Sequence, residues 1–441
     1  MKEKLIDIIG EGNLIDDERL DDYLVDGKKP RFKVIPENIE QISEIIQLAF
    51  RENLKVVPYG SGTKINIGNI PSRVDLLLSL SKLNKILEFN PDDLTVSVET
   101  GIKVSDFNRF LFEKGLFLPV DPPFADKCTI GGITAVDSNG PMRLKFGKIK
   151  DMVTAMKIVL SDGSIVKTGA RVVKNASGYN ISRLYVGSMG TIGIIAEISL
   201  KLHPFPESEK NALLFFNDIS DFINFCDSVS SSFLIPSYLE YLSPSFVRFL
   251  PKGIIDNFLK NYHLCLIGFD GFSETVDWQL EQTKILSKKN NCLNAFIPFD
   301  MGNSLLSHIR NFYLLFTDSL IFKVSVVIPE FKNVLHKIKS LPFENKFQEV
   351  ILSHFGSGII YMIYPLENIN NDDKVIKLIN MVEDIAIDSG GNFMIEDIPL
   401  KFKEKVSVWG RKNKNSKIMK RIKEQFDPNN ILNPGRFVGG I

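Results

Sequence analysis

Three glycine-rich loops, each placed at the end of an apolar run, constrain this chain more than any other feature. The first is Pro58-Tyr59-Gly60-Ser61-Gly62-Thr63-Lys64, directly after the short strand-like run Leu54–Pro58. The second spans Asp121 to Gly140 and holds Thr129-Ile130-Gly131-Gly132-Ile133-Thr134-Ala135 and Ser138-Asn139-Gly140. The third is Gly187-Ser188-Met189-Gly190-Thr191-Ile192-Gly193, which opens a strand through Ile194 and Ile195. Small residues let backbone N–H groups converge on an anion or let a flat ring approach the chain. The first loop lacks the Gly-Lys-Ser/Thr ending of a P-loop and the GxGxxG spacing of a Rossmann turn. Taken singly, a tight turn or a β-bulge explains each loop equally well.

Around the loops the chain alternates helix and strand. Ile39, Ile42, Ile45, Ile46, Ala49 and Phe50 recur at helical spacing over 37–53, with Pro36 before the first turn. Leu76–Leu80 and Leu94–Glu99 read as strands, and 103–114 as a helix that stops at Gly115. Met152–Leu160 and Ser164–Lys167 form a hairpin across Ser161-Asp162-Gly163. The expected fold class is α+β. The expected domains are an α+β unit over 1–205, a second unit of helices and strands over 206–385, and a segment over 386–441 that returns to the first. Expected strands of the second unit are Leu264–Phe269, Ile321–Ile328 and Gly358–Ile363. Phe426-Asp427-Pro428 through Pro434-Gly435-Arg436 reads as a docked tail.

Composition excludes several classes. Lys plus Arg and Asp plus Glu both total 53, so no global basic field favours nucleic acid. With 44% hydrophobic and 24% charged residues, the chain is globular. No run of about 18 apolar residues occurs, so no transmembrane helix is expected, and the N-terminus lacks the apolar stretch of a signal peptide. Cys128, Cys226, Cys265 and Cys292 are widely spaced. They match no zinc or iron–sulphur spacing and read as buried thiols in a cytoplasmic protein.

The order and spacing of the loops resemble the PCMH-type FAD-binding domain of the vanillyl-alcohol oxidase and cresol methylhydroxylase flavoprotein superfamily. The likeness covers about 30–205 plus Asp427-Pro428…Leu432-Asn433-Pro434-Gly435. Within it the chain looks most like the E type of glycolate oxidase subunit. The carrying residues are Gly140-Pro141-Met142-Arg143, Phe146-Gly147…Lys150-Asp151, Val173-Lys174-Asn175…Gly178-Tyr179-Asn180…Arg183-Leu184, Val408-Trp409-Gly410 and Arg436-Phe437-Val438-Gly439-Gly440. Met189 stands where the D type carries Glu.

The resemblance implies a two-part FAD-binding domain and, over 206–385, an α+β cap or substrate domain with an antiparallel sheet; FAD would be held in extended form between two α+β halves, with the pyrophosphate wrapped by the first two loops and the third loop on the flavin or adenine. Cofactor contacts are then expected from Pro58, Tyr59, Gly60, Ser61, Gly62, Thr63 and Lys64. The second loop and its continuation would add Pro122, Thr129, Ile130, Gly131, Gly132, Ala135, Ser138, Asn139, Gly140 and Arg143. Gly190, Thr191, Gly193, Ile194, Ile195 and Asn433 complete the set. The first loop holds neither His nor Cys, so the FAD is expected to be non-covalent, with Cys128 a packed thiol.

Relatives that oxidise 2-hydroxy acids carry His-x-Gly-Asp-Gly-Asn-x-His, a source of metal ligands or a base. Here the stretch is His354-Phe355-Gly356-Ser357-Gly358-Ile359-Ile360-Tyr361. Without the second His no metal is expected. His354 reads either as a general base or as a structural histidine. Lys323, inside Leu320–Val326, reads either as the anchor of a substrate carboxylate or as an outward-facing lysine. Glu396 and Asp397 could line the same cleft.

Two functions follow. One is FAD-dependent oxidation of glycolate or D-lactate, with electrons passed to a partner. The other is an accessory flavin carrier within a complex that also contains a catalytic flavin subunit and an iron–sulphur subunit. The expected location is cytoplasmic, with peripheral membrane attachment through such a complex as the second option.

Overall fold

Asn38 starts the helix Ile39–Glu52 by accepting a hydrogen bond from Gln41 N–H on its side chain, and Asn53 ends it in a left-handed conformation (φ 52°). Ile42, Ile45, Ile46 and Ala49 are fully buried, so one apolar stripe seats this helix on the core. The computed structural model describes residues 1–16, 18–169, 181–253, 261–293, 299–341, 350–366, 372–411 and 415–441. The motif stretch Val173 to Asn180 therefore lies outside the described residues.

The chain divides into two compact units. The first comprises 1–139, 148–205 and 411–441; the second comprises 140–147 and 206–410. In the first unit, Phe32–Val34 and Val56–Tyr59 flank Leu76–Ser79 in parallel, and Leu14–Ile15 adds an antiparallel edge. A five-stranded antiparallel sheet follows, in the order Ile86–Asn90, Thr95–Glu99, Ile194–Lys201, Val153–Val159, Ile165–Gly169. The expected hairpin is its Val153–Val159 and Ile165–Gly169 edge.

The second unit is built on one seven-stranded antiparallel sheet, in the order Ser208–Phe216, His263–Gly271, Tyr238–Leu242, Val350–His354, Ile359–Pro365, Ser319–Ser325, Asn392–Asp397. Separate apolar clusters, rich in Phe, cover its two faces.

Several expectations shift. The stretch 386–410 stays with the second unit, because Asn392–Asp397 is an edge strand of its sheet; the returning segment starts at 411. Gly140 and Arg143 fall in the second unit and not with the cofactor loops. The strand expected over Ile321–Ile328 stops at Ser325, since Pro329 cannot donate and the chain enters a 3-10 turn at Ile328. The second loop contains a short helix, Ile130–Ala135, capped by Thr129, whose hydroxyl accepts from Gly132 N–H at 3.1 Å.

Candidate functional site

In the first unit the three loops converge on one cavity of about 910 Å³, the solvent-open space at its mouth included. Of the expected cofactor residues, Pro58, Tyr59, Gly60, Ser61, Gly62, Thr63 and Lys64 line it from the first loop. Thr129, Gly131, Gly132, Ala135 and Ser138 line it from the second, and Gly190, Gly193, Ile194 and Ile195 from the third. Asn433 joins from the tail.

Glycine is required where these walls come together. Gly62 and Gly190 have φ of 78° and 67°, a region L side chains rarely adopt. A Cβ on Gly60 would collide with Thr129 Oγ1, and one on Gly190 would come within 2.6 Å of Pro58 Cγ. Among the described residues, the amides of Ser61, Gly62 and Thr63 donate to no backbone carbonyl. Successive N–H groups of this kind form an anion-binding concavity. The cavity thus fits a group with a phosphate bridge and flat rings.

The second loop plays another part than expected. Ile130 N–H donates to Ile102 O at 3.0 Å, Gly131 N–H to Thr100 O at 2.7 Å, and Gly132 N–H to Thr129. Its donors are already used, so it shapes the wall while the first loop offers N–H groups. Pro122, Ile130, Asn139 and Thr191 do not line the cavity. Pro122 and Ile130 are buried, Asn139 accepts from Ile149 N–H at 2.8 Å, and the Thr191 hydroxyl bonds Ser188 O at 2.7 Å.

Sequence reasoning missed Thr100 and Arg436. The Thr100 hydroxyl donates to Ile195 O at 2.7 Å and its carbonyl takes the Gly131 bond, so it ties the second loop to the third. The adjacent Gly101 was the available signal. Arg436 is buried and lines the cavity, donating to Ile65 O and, at 2.5 Å, to Ile67 O. Cys128 also lines the cavity; burial pushes its thiol up to about 12, so it stays protonated and a poor nucleophile.

We expect Gly190→Val to lose FAD. A branched side chain at this φ costs about 1–2 kcal/mol per residue and overpacking against Pro58 about 1–3 more. Visible flavin absorbance per purified protein should fall to roughly a tenth of wild type or less. Retention at the wild-type level would show that the third loop does not contact the cofactor.

In the second unit, polar groups gather on one face of the seven-stranded sheet. Glu240 and His354 are direct cross-strand partners, as are Lys323 and Tyr361, so each pair shares a face. His354 Nδ1 lies 2.5 Å from Glu240 Oε2, and both residues are almost fully buried. Lys323 Nζ donates to Glu396 Oε1 at 2.7 Å and sits 5.6 Å from the Tyr361 ring centroid. Tyr313 donates its hydroxyl to Glu396 Oε2.

Burial opposes the Lys323 charge, but Glu396 and Tyr361 outweigh it and raise the ammonium above the usual lysine range. Burial pushes the Tyr361 phenol up to about 12, which leaves a neutral hydroxyl at pH 7. The Lys323 side chain is 25% exposed and can reach a ligand. Asp397 is exposed at the edge of the sheet. Glu240 and Tyr313 were missed; an acid inside the apolar run Tyr238-Leu239-Glu240-Tyr241-Leu242 carries the same signal that singled out Lys323.

Among the described residues no group of three His, Cys, Asp or Glu side chains could hold a metal. His263 bonds the Tyr241 hydroxyl at 2.8 Å, and burial lowers it to about 4, which marks a neutral packing histidine.

Residues 30–169 match the FAD binding domain family, and residues 205–437 match the C-terminal domain of FAD linked oxidases. The chain is 30% identical to the glycolate oxidase subunit GlcD of Bacillus subtilis, over 99% of this chain and 96% of that protein. It is 29% identical to a D-lactate dehydrogenase of Anaerostipes hadrus, over 99% and 96%. The crystal structure of p-cresol methylhydroxylase with substrate bound superimposes with a TM-score of 0.77 at 17% identity, covering 99% of this chain and 95% of that one. The relative with the highest of these identities is thus a D-type subunit, although Met189 replaces the glutamate of that type.

Proposed function

Because the chain belongs to the FAD-linked oxidase family, and is an FAD-dependent oxidoreductase, we propose that it oxidises a small 2-hydroxy acid such as glycolate or D-lactate. The observation that carries this reading is the buried Glu240–His354 pair on the face that also holds Lys323. The Glu240 carboxylate accepts Nδ1–H and leaves Nε2 to take the proton of a substrate hydroxyl. Lys323, held by Glu396, presents an ammonium to the substrate carboxylate. FAD, when bound, supplies the hydride acceptor.

The cofactor contacts we assign are the residues of the 910 Å³ cavity, with Ser61, Gly62 and Thr63 N–H groups toward phosphate oxygens. Non-covalent binding is supported by the protonated state of Cys128, the one thiol on the cavity wall among the described residues. Cys226 lies against Cys265 in the buried core, and among the described residues no group of three His, Cys, Asp or Glu side chains could hold a metal centre that passes electrons onward. A partner therefore takes them, and we assign an iron–sulphur subunit alongside a second flavin subunit. No helix among the described residues is long and apolar enough to cross a membrane. A cytoplasmic location, with peripheral membrane attachment through that complex, is part of the same reading.

The accessory reading is favoured by one observation: Tyr361, not a second histidine, stands beside Lys323. The decisive experiment mixes the purified FAD-loaded chain anaerobically with glycolate or D-lactate. Bleaching of the flavin at a catalytic rate is expected, and acid denaturation should release all flavin to the supernatant. A flavin reduced only after partner subunits are added would establish the accessory role instead.

A further inference from the structure

We propose that Lys33 is a positioning residue of the cofactor cavity, a buried ammonium that fixes the Tyr59 ring and, through it, the first glycine loop. The proposal rests on the assignment of that cavity to FAD above. Strand Phe32–Val34 runs parallel to Leu76–Ser79, and that strand runs parallel to Val56–Tyr59, in a register that sets Lys33, Leu77 and Val57 side by side. Phe32 and Val34 pack into the apolar cluster of the helix Ile39–Glu52, so the alternation of the strand turns Lys33 to the opposite face. That face carries a small apolar cluster around Val57 and Leu77, with Tyr23, Tyr59 and Ile65 packed against it. Lys33 is 6% exposed there.

Among the described residues the Lys33 ammonium has no hydrogen bond or ion pair; what it meets is aromatic. Its Nζ lies 3.4 Å from the Tyr23 ring centroid and 5.5 Å from that of Tyr59. The two rings meet edge to face, with centroids 5.9 Å apart and planes at 83°. Aromatic faces attract a desolvated cation, but a methionine of similar length would fill this space without the cost of burying a charge. What the charge adds is orientation, because it holds both rings by their faces. Tyr59 carries that effect onward. It lines the cavity, whereas Lys33 does not. Its phenol end lies against Gly62, where a Cβ would collide with the Tyr59 hydroxyl and come within 2.8 Å of Cζ. Gly62 O also accepts Ile65 N–H at 3.0 Å, from the same small cluster. The fixed ring thus supports the loop at the residue whose N–H, with those of Ser61 and Thr63, is open to a phosphate.

The test compares Lys33→Met, Lys33→Arg and Tyr59→Leu with the FAD-loaded wild type. FAD release after dilution is followed by the rise of free-flavin fluorescence, and Tm is measured with FAD in excess. Lys33→Met should release FAD about 10-fold faster. Its Tm should stay equal or rise, because an unpaired buried charge has gone. Lys33→Arg, whose planar cation also stacks on aromatic faces, should release FAD within about threefold of wild type. Lys33→Met placed on Tyr59→Leu should add no further acceleration, since the ring through which Lys33 acts is absent. A wild-type release rate in Lys33→Met overturns the proposal. So does faster release with a Tm that falls in step, which marks a packing residue only, and so does full acceleration by Lys33→Met in the Tyr59→Leu background. A wild-type protein that holds no FAD overturns the cavity assignment itself, and the proposal with it.

Discussion

Replacing His354 by Ala lowers the rate of flavin reduction by the hydroxy acid about 10³-fold, within the range for losing a positioned general base. The side chain is almost fully buried and held by Glu240, so no mobile group of the same face can stand in. FAD content is unchanged, because the cavity residues belong to the first unit. Glu240→Gln costs less, about 10²-fold, since it keeps the shape but no longer dictates which ring nitrogen carries the proton. Both losses appear in kcat under anaerobic stopped-flow mixing, with KM nearly constant. Added imidazole should restore part of the His354→Ala rate. A variant that reduces its flavin within about threefold of wild type would remove His354 from the chemistry and leave it a packing residue.

The second large effect concerns stability. Lys423 is 3% exposed, and its ammonium donates to Asp427 Oδ2 at 2.6 Å, Thr191 O at 2.8 Å and Leu432 O at 2.7 Å. Asp427 in turn accepts the N–H groups of Ile431 at 3.0 Å and Leu432 at 2.7 Å. Burial works to lower the Lys423 proton affinity, and Asp427 works against that. Lys423→Met strands the Asp427 charge and two carbonyls, so about 3–5 kcal/mol of stability is lost. At roughly 2–4 °C per kcal/mol for a unit of this size, Tm falls by about 6–20 °C.

The same tail sends Asn433 to Met189 O at 2.7 Å and Arg436 to the carbonyls of Ile65 and Ile67. Loosening it therefore weakens FAD retention as well. Lys423→Met combined with Asp427→Leu should recover part of the loss, because no isolated charge then remains buried. Thermal unfolding and FAD release, followed together on each variant, check this. A drop of less than about 2 °C in Lys423→Met would mean that the pair does not hold the tail.

Much of the cavity lining was legible because backbone geometry is written in residue type. Gly60, Gly62, Gly131 and Gly190 sit where a side chain would collide with a neighbouring loop or demand a left-handed φ. The donors of the second loop were not legible. A Thr-Ile-Gly-Gly turn looks the same whether its amides face a ligand or, as here, meet Ile102, Thr100 and Thr129. The polar face of the seven-stranded sheet was half legible. Lys323 stood out as a charge in an apolar strand, while its partner Glu396 sits 73 positions away in sequence.

By itself, then, the sequence determined the α+β class and the three glycine loops, and its resemblance to a flavoprotein family pointed to FAD. The class and the loops depend on local sterics and on patterns a few residues long. Only the tertiary structure decided that Arg143 leaves the cofactor loops for the second unit, that His354 meets Glu240 across 114 residues, and that the tail braces the cavity through Lys423 and Arg436. Strand pairing and buried ion pairs join residues far apart in the chain. Their partners are chosen by the register of the whole sheet and by the cost of leaving a buried charge alone.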